Sequence, residues 1–264
     1  MSNSGFWDEI RKIPPVTRFL CASSLAVSLP VMLELVSAYR VVFVRELVTQ
    51  KWEIWRVWSS FFLGSSGINF VFDFVMLYRN TDALESGNYA GRSADLAWQL
   101  LLAAGGILVR ALNIPLGSFV HNRALVVCLT YLSSALAPAG SQSSLMGLVA
   151  IPMQYLPYVL IGMDLIMGGP KAAATSVTGA VVGHLWWWSI FGPDGQGLPG
   201  VRAWGNAPGW MRSLVGGNAG PNIAPGSGVH VVPPRARGQD RAGARAGGST
   251  TGYQWGSGNR LGTE

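Results

Sequence analysis

The feature that most constrains this chain is a series of about six apolar segments between residues 16 and 190. A helix needs about 20 apolar residues to cross the hydrocarbon core of a bilayer, and each segment is near that length. Only 12% of the residues are charged and 49% are hydrophobic, whereas a soluble domain usually carries about twice that charge. The sequence therefore predicts an all-α polytopic membrane protein, with spans at 16–36, 61–78, 96–112, 116–136, 145–167 and 172–190.

Basic residues predict the orientation of these spans. A group precedes or opens the first span and a larger group follows the last: Arg11, Lys12 and Arg18, then Arg202, Arg212, Arg235, Arg237, Arg241, Arg245 and Arg260. An even number of spans places both termini on one side, and the positive-inside rule makes that side cytosolic. The loop 38–56 opposes this assignment, because it carries Arg40, Arg45, Lys51 and Arg56 on the side that would be lumenal.

The same loop contains three evenly spaced tryptophans. Trp52, Trp55 and Trp58 recur every three residues, which on a short helix places them along one face. This arrangement is typical of an amphipathic segment that lies in the headgroup region. The alternative is an ordinary aromatic belt that only anchors the protein in the membrane.

Five charged residues lie within or at the ends of the apolar segments. At the middle of a bilayer each would cost on the order of 2.5–3.5 kcal/mol, so we expect them to face a hydrated cavity or to pair with one another. Glu34, Arg110 and Arg123 lie near span ends, where they are interpreted as snorkelling to the interface. Asp73 and Asp164 have several apolar residues on both sides, so that explanation does not suit them.

The sixth span contains Gly179 and Gly183 in a G-x-x-x-G pattern, followed by His184 and three consecutive tryptophans. Two glycines one turn apart allow the backbone of a neighbouring helix to approach closely, so we interpret the pattern as a packing face. The tryptophan run 186–188 predicts a membrane interface at the end of this span.

His184 raises the alternative of a rhomboid-type intramembrane serine protease, in which a serine in G-x-S-G lies within hydrogen-bond reach of a histidine. The string 64–67 fits G-x-S-G literally with Ser66, but it precedes the second span, and the fourth span has no such string. An active protease of this kind would bring Ser66 and His184 together. Neither the histidines nor Cys21 and Cys128 show the spacing of a metal site, so no metal and no cofactor are predicted.

The chain ends in a tail rich in Gly, Pro and Arg, which cannot bury a core of its own and is predicted to be disordered. A tryptophan and a leucine stand alone near its end, in the octapeptide 255–262. Apolar side chains in such a setting are best explained as contacts for another protein.

Several motifs together resemble the derlin family. They are Ile13-Pro14-Pro15-Val16-Thr17-Arg18, Trp55-Arg56, Leu84-Glu85-Ser86-Gly87 with Gly91-Arg92-Ser93-Ala94-Asp95, Tyr155-Leu156-Pro157-Tyr158-Val159-Leu160, and Gly179-x-x-x-Gly183-His184. The similarity covers about residues 5–192 and resumes at the tail. Asp73 and Asp164 depart from it, because we expect asparagine or another neutral polar residue at both positions.

The resemblance implies a six-helix, rhomboid-like pseudoprotease of the endoplasmic reticulum membrane, with both termini in the cytosol and no peptidase activity. It also implies a role in the degradation of misfolded proteins, which are moved to the cytosol. The implied domains are an N-terminal segment 1–15, a transmembrane domain 16–192 and a flexible tail 193–264.

The tail octapeptide resembles the SHP box, through which some derlins recruit the AAA ATPase called valosin-containing protein. The matching residues are Trp255, Gly256, Gly258, Arg260, Leu261 and Gly262. The other implied partners are a ubiquitin-ligase complex, misfolded substrates and membrane lipid; a homo- or hetero-oligomer is compatible with the family, and nucleic acid is not expected. A third alternative, a protein that handles small solutes or lipids, would place a ligand at Asp73 or Asp164 and leaves the octapeptide unexplained.

Overall fold

The structure is a computed structural model that describes residues 8, 10–113, 119–138, 140–145, 149–193, 195 and 197–215. Most of these residues are helical. The helices, numbered here in chain order, are α1 Pro15–Met32, α2 Arg45–Gln50, α3 Trp55–Phe62, α4 Ile68–Ala83, α5 Ser93–Asn113, α6 Asn122–Ala135, α7 Leu156–Ile190, α8 Pro199–Trp204 and α9 Gly209–Val215. A π-helical turn, Leu84–Asn88, continues α4, and short 3-10 turns lie at Ala38–Arg40 and Met153–Tyr155.

Two short strands join α6 to α7. β1, Gln142–Leu145, pairs antiparallel with β2, Val149–Pro152, so that Gln142 lies opposite Pro152. The guanidinium of Arg79 on α4 donates a hydrogen bond to the Ser143 hydroxyl at 2.9 Å, which fixes this hairpin near the end of α4.

Helix α6 lies at the centre of the bundle. Five consecutive residues, 125–129, are each at most 2% exposed, so α6 is surrounded on all sides rather than on one face. Both α4 and α7 pack against it. A helix that is apolar around its whole circumference is typical of the middle of a bundle.

Helix α7 consists of two helices that fold back on each other. Gly169, with φ 72 and ψ −170, interrupts the helical backbone, and Pro170 follows. Glycine adopts positive φ at little cost, and proline suits the first turn of a new helix. The Ser176 hydroxyl donates to the Asp164 carboxylate. In one straight helix these residues would lie about 18 Å apart along the axis, so residues 170–190 must reverse direction.

Two of the described helices are long and apolar enough to cross a membrane, judged by length and composition. They are Pro15–Met32 and Ser93–Leu112, with mean hydropathies of 1.3 and 1.4. The 14 residues of α6 extend only about 21 Å, which is less than a hydrocarbon core of about 30 Å. The count of six spans therefore stays a prediction.

Four predicted segments differ in the structure, and the first of them, 16–36, ends already at Met32. The second, 61–78, is broken because α3 ends at Phe62 and α4 begins only after Gly67, whose φ of 69 is not helical. The fourth begins at Asn122 rather than 116. The fifth begins at Leu156 rather than 145, since β1 and β2 occupy the preceding residues.

The prediction of a flexible tail from residue 193 is wrong for residues 197–215. This stretch forms α8 and α9, and α9 packs against α5. Two features explain the difference: Pro199 begins α8, and polar side chains of α5, distant in sequence, bond the backbone that joins α8 to α9. The rest of the tail, including the octapeptide 255–262, lies outside the described residues.

Candidate functional site

The candidate site is an ionic cluster formed by Arg123, Asp73 and Asp164. Arg123, in the first turn of α6, directs its guanidinium at both carboxylates. Its Nε lies 2.9 and 2.8 Å from the two Asp164 oxygens, and its Nη2 lies 2.8 Å from Asp164 Oδ1. Its Nη1 donates to Asp73 on α4. One guanidinium therefore joins α4, α6 and the first half of α7.

Two hydroxyl groups and one aromatic ring complete the ionic cluster. The Ser65 hydroxyl donates to Asp73 Oδ2 at 3.2 Å, and the Ser176 hydroxyl donates to Asp164. The Phe72 ring centroid lies 5.9 Å from Arg123 Cζ, within the range of a cation–π contact. Two carboxylates face one guanidinium, so the cluster carries one formal negative charge in excess when both acids are ionised.

The ionic cluster shows how three charged residues within the apolar segments are accommodated. Asp73 and Asp164 were expected to pair or to face a hydrated cavity, and both pair with Arg123. The interpretation of Arg123 as a snorkelling residue is wrong, because its side chain is only 20% exposed and points into the bundle. Glu34, by contrast, is exposed just beyond the end of α1.

A second polar layer, which the sequence analysis missed, lies two turns away. Asn80 donates to the Thr130 hydroxyl at 2.7 Å, and the Ser133 hydroxyl donates to Asn80 Oδ1 at 2.9 Å. Asn80 follows Asp73 by seven residues, and Thr130 follows Arg123 by seven. Residues seven apart share a helix face, so this spacing is the signal that predicts the contact.

The glycines of the G-x-x-x-G pattern lie against α6, beside the ionic cluster. A Cβ atom at Gly179 would overlap the carbonyl of Ala124, the residue that follows Arg123. A Cβ atom at Gly183 would lie 2.9 Å from the Cys128 carbonyl oxygen. The second half of α7 can approach the backbone of α6 only because these side chains are missing.

The geometry gives no support to a serine–histidine pair at Ser66 and His184. The Nδ1 atom of His184 pairs with the Tyr131 hydroxyl at 2.7 Å. Ser66 is exposed in the turn before α4, next to Ser65, which bonds the ionic cluster. Arg123 and Tyr131 are eight residues apart on α6, so these two regions are separated by about 12 Å along the bundle.

The Trp55-Arg56 motif organises the segment before α3. Arg56 is 4% exposed, and its guanidinium donates to the carbonyl oxygens of Tyr39 and Val42 and to the Glu53 carboxylate. Trp55 and Trp58 are exposed on α3. Trp52 is exposed too, but it precedes the helix and has a φ of 58, so the prediction of one helical face for all three tryptophans is wrong.

A further set of buried polar residues, which we call the capping cluster, lies at the start of α1 and α5. Glu85 accepts hydrogen bonds from the backbone nitrogens of Val16 and Thr17, at 3.0 and 2.8 Å, and from the Thr17 hydroxyl at 2.8 Å. It thereby caps the first turn of α1. These residues belong to the motifs at 13–18 and 84–87.

The remainder of the capping cluster surrounds Gln99 on α5. Gln99 Oε1 accepts from the Tyr89 hydroxyl, at 2.5 Å, and from Trp186 Nε1, at 2.8 Å. Gln99 Nε2 donates to the carbonyl of Gly205 at 2.7 Å. Tyr89 is fully buried, and this burial raises the pKa of its hydroxyl above the usual range. Within the ranges that the structure describes, no group of three His, Cys, Asp or Glu residues could hold a metal ion.

The class that these features define is a helical bundle that encloses an ionic cluster, with two described helices long and apolar enough to span a membrane. Comparison with known proteins identifies its family, since the family model of the Der1-like family matches residues 13–198. The chain is 27% identical to Derlin-1.2 of Zea mays over 78% of its own length and 82% of that relative. It is 29% identical to Derlin-1 of Arabidopsis thaliana (81% and 78%) and 31% identical to Derlin-1 of Oryza sativa subsp. japonica (64% and 67%).

The chain therefore belongs to the Der1-like family, that of the derlins, and the resemblance seen in the sequence is confirmed. This membership supports a membrane protein of the endoplasmic reticulum with a role related to protein degradation there. The octapeptide 255–262, which is predicted to contact another protein, lies outside the described residues.

Proposed function

We propose that this protein helps to move misfolded lumenal or membrane proteins to the cytosol and recruits the valosin-containing-protein ATPase through its tail. In this proposal it has six spans, keeps both termini in the cytosol, associates with a ubiquitin-ligase complex and has no peptidase activity. The observation that supports the proposal best is the ionic cluster, which lies within apolar helices of a derlin family member.

The physical basis of the proposal is a lowered free-energy barrier for a polar polypeptide that crosses the hydrocarbon core. Buried ionised groups keep water in the interior of a bundle, and helices shorter than the hydrocarbon core thin the bilayer around them. Helix α6 and the first half of α7, residues 156–168, both extend only about 20 Å. A substrate segment beside these helices meets less hydrocarbon and more water than it would elsewhere.

We place substrate entry between the second and fifth spans, at α4 and the first half of α7. These two elements are joined across α6 by the guanidinium of Arg123, which contacts a carboxylate on each of them. The exposed tryptophans of the 52–58 segment lie, in this proposal, in the lumenal leaflet beside the entrance.

Site-specific photocrosslinking tests the entry site. Photoreactive residues at Val75 on α4 and Leu165 on α7, which are 41% and 52% exposed, should capture a misfolded membrane client in microsomes. A matched probe at Leu102 on α5, which is 47% exposed, should not. Equal capture from Leu102 would contradict lateral entry at this position.

Capture of the ATPase tests the role of the tail. A Trp255→Ala, Leu261→Ala variant of the full-length protein should lose co-purification of the ATPase. A Ser257→Ala, Thr263→Ala variant in the same segment should retain it. Retention of the ATPase by both variants would show that the octapeptide is not the segment that binds it.

A protease assay separates the proposal from its main rival. If the chain acts without peptidase chemistry, Ser66→Ala and His184→Ala should leave both the cleavage pattern and the degradation rate of a client unchanged. Loss of a specific cleavage product in Ser66→Ala would favour the rhomboid-type protease instead.

A further inference from the structure

The strongest unexplained surface is the outer face of α8 and α9. Four large apolar side chains project from these two short helices: Val201, Trp204, Trp210 and Leu214, with exposures of 44, 76, 55 and 76%. Ala207 and Met211 lie on the opposite side, where they are buried against the bundle. We call these four exposed residues the outer apolar face.

The position of this segment is fixed by α5. Trp98 Nε1 donates to the Trp204 carbonyl at 2.8 Å, and Gln99 donates to the Gly205 carbonyl. The Ala207 nitrogen donates to Asp95 Oδ1 at 2.8 Å. Side chains add to this attachment, since Met211 is buried, the Arg212 guanidinium lies 3.9 Å from Asp95, and the Trp210 ring packs edge-on against Trp98. The rest of the outer apolar face, Val201, Trp204 and Leu214, stays exposed.

The position of these contacts along α5 indicates what covers the outer apolar face. Asp95, Trp98 and Gln99 lie within the first two turns of α5, which is one of the two helices able to span a membrane. Seven helical residues extend only about 10 Å, so α8 and α9 lie at the level where this span enters the membrane. Exposed tryptophans at that level are typical of the headgroup region.

The charge of the segment agrees with a lipid surface. Residues 197–215 contain Arg202 and Arg212 but no aspartate or glutamate. Basic residues close to an apolar surface with tryptophan and leucine are the pattern of a helix that lies in the membrane plane. Anionic lipids attract such basic residues when the surface faces the cytosol.

We propose that α8 and α9 form a membrane-surface anchor, whose outer apolar face is inserted at the boundary of lipid headgroups and acyl chains. The anchor fixes the point at which the remaining tail leaves the membrane. It does not depend on substrate transport or on ATPase recruitment, so it stands or fails separately from the proposed function.

Spin labels on the full-length protein test the anchor. In a Cys21→Ala, Cys128→Ala background, single cysteines at Trp204, Val201 and Leu214 would carry a nitroxide, with Asn206 and Ser213 as exposed polar controls on the same segment. The protein would be reconstituted in vesicles of phosphatidylcholine with phosphatidylserine. Collision rates with oxygen, which enters the bilayer, and with a water-soluble nickel complex would then be measured.

Labels on the outer apolar face should collide more often with oxygen and less often with the nickel complex than labels at Asn206 and Ser213. Val201, the smallest of the three side chains, provides a site where labelling disturbs packing least. If all five labels collide equally with the nickel complex, the face points to water and the proposal is wrong. Strong spin–spin broadening from a second copy would also overturn it.

Discussion

The ionic cluster and the capping cluster both bury acidic side chains, but they provide these carboxylates with different partners. In the ionic cluster, Asp73 and Asp164 depend on one long side chain, that of Arg123. In the capping cluster, Glu85 is bonded by two backbone nitrogens and a hydroxyl that already belong to α1. Arg123 thus holds three helices together through a single side chain, whereas Glu85 closes the start of one helix.

This difference predicts how each region responds to damage. Removal of one partner from a buried ion pair leaves an uncompensated charge, which costs far more than the pair itself contributes. Removal of the Glu85 cap leaves two backbone N–H groups and one hydroxyl of α1 without their partner but leaves no unpaired charge, so we expect a smaller loss. We therefore expect the ionic cluster to be the fragile region and the capping cluster the tolerant one.

The largest effect is expected for Arg123→Met, which leaves two buried carboxylates without a cation. We expect a loss of about 3–5 kcal/mol in the free energy of unfolding, measured by titrating the purified protein from mild detergent into dodecyl sulfate. Addition of Asp73→Asn and Asp164→Asn should restore most of the loss, because no charge is left unpaired. If the triple variant is as unstable as the single one, packing rather than charge explains the effect.

A smaller effect is expected for Gly179→Ala, whose new methyl group would overlap the carbonyl of Ala124 beside Arg123. Overpacking of this kind typically costs about 1–3 kcal/mol. The matched control is Gly162→Ala in the first half of α7, where a Cβ atom has no neighbour within 4 Å. The control should be neutral or slightly stabilising, since alanine favours helix. Equal destabilisation by both variants would contradict close packing as the cause.

For the capping cluster we expect Glu85→Ala to cost about 1–2 kcal/mol, the usual price of a lost helix cap. Hydrogen exchange should accelerate at the amides of Val16 and Thr17, which Glu85 protects. The neighbouring Ser86→Ala variant, which removes an exposed hydroxyl, should change neither quantity. A loss as large as that of Arg123→Met would remove the distinction between the two clusters.

The smallest effect is expected for Tyr89→Phe, which removes one of the two hydrogen bonds that Gln99 Oε1 accepts. Because Trp186 still donates to the same oxygen, the loss should be about 0.5–1.5 kcal/mol, as for a single neutral hydrogen bond. The thermal midpoint of the purified protein is a sufficient measurement. Because phenylalanine keeps the ring that packs against Phe191, a loss greater than that of Glu85→Ala would show that the hydroxyl of Tyr89 contributes more than a single neutral hydrogen bond.

The sequence predicts the chemistry of the ionic cluster better than its geometry. Asp73 and Asp164 stand out because long apolar flanks leave them no route to the interface. Arg123 does not stand out, since a position near a span end suits both a snorkelling and an inward-facing side chain. Only the seven-residue spacing of Asp73 with Asn80 and of Arg123 with Thr130 indicates that these side chains face each other.

Backbone reversals and local docking explain the remaining differences. The sequence shows that residues 67 and 169 are glycines, but it does not show their positive φ angles, which depend on tertiary packing. These angles break the second segment and fold α7. The segment 197–215 has the composition of a tail, and it is ordered by hydrogen bonds with Trp98 and Gln99, which donate, and Asp95, which accepts, about 100 residues earlier. Composition alone contains no information about such distant partners.

The order of the ionic cluster residues along the chain also determines when each of them becomes available during synthesis. Asp73 leaves the ribosome 50 residues before Arg123, and Arg123 leaves it 41 residues before Asp164. At a synthesis rate of about 5–20 residues per second, roughly 3–10 s pass between the synthesis of Asp73 and that of Arg123. During that interval the Asp73 carboxylate lacks its guanidinium partner, so α4 reaches its final packing only after α6 has been made.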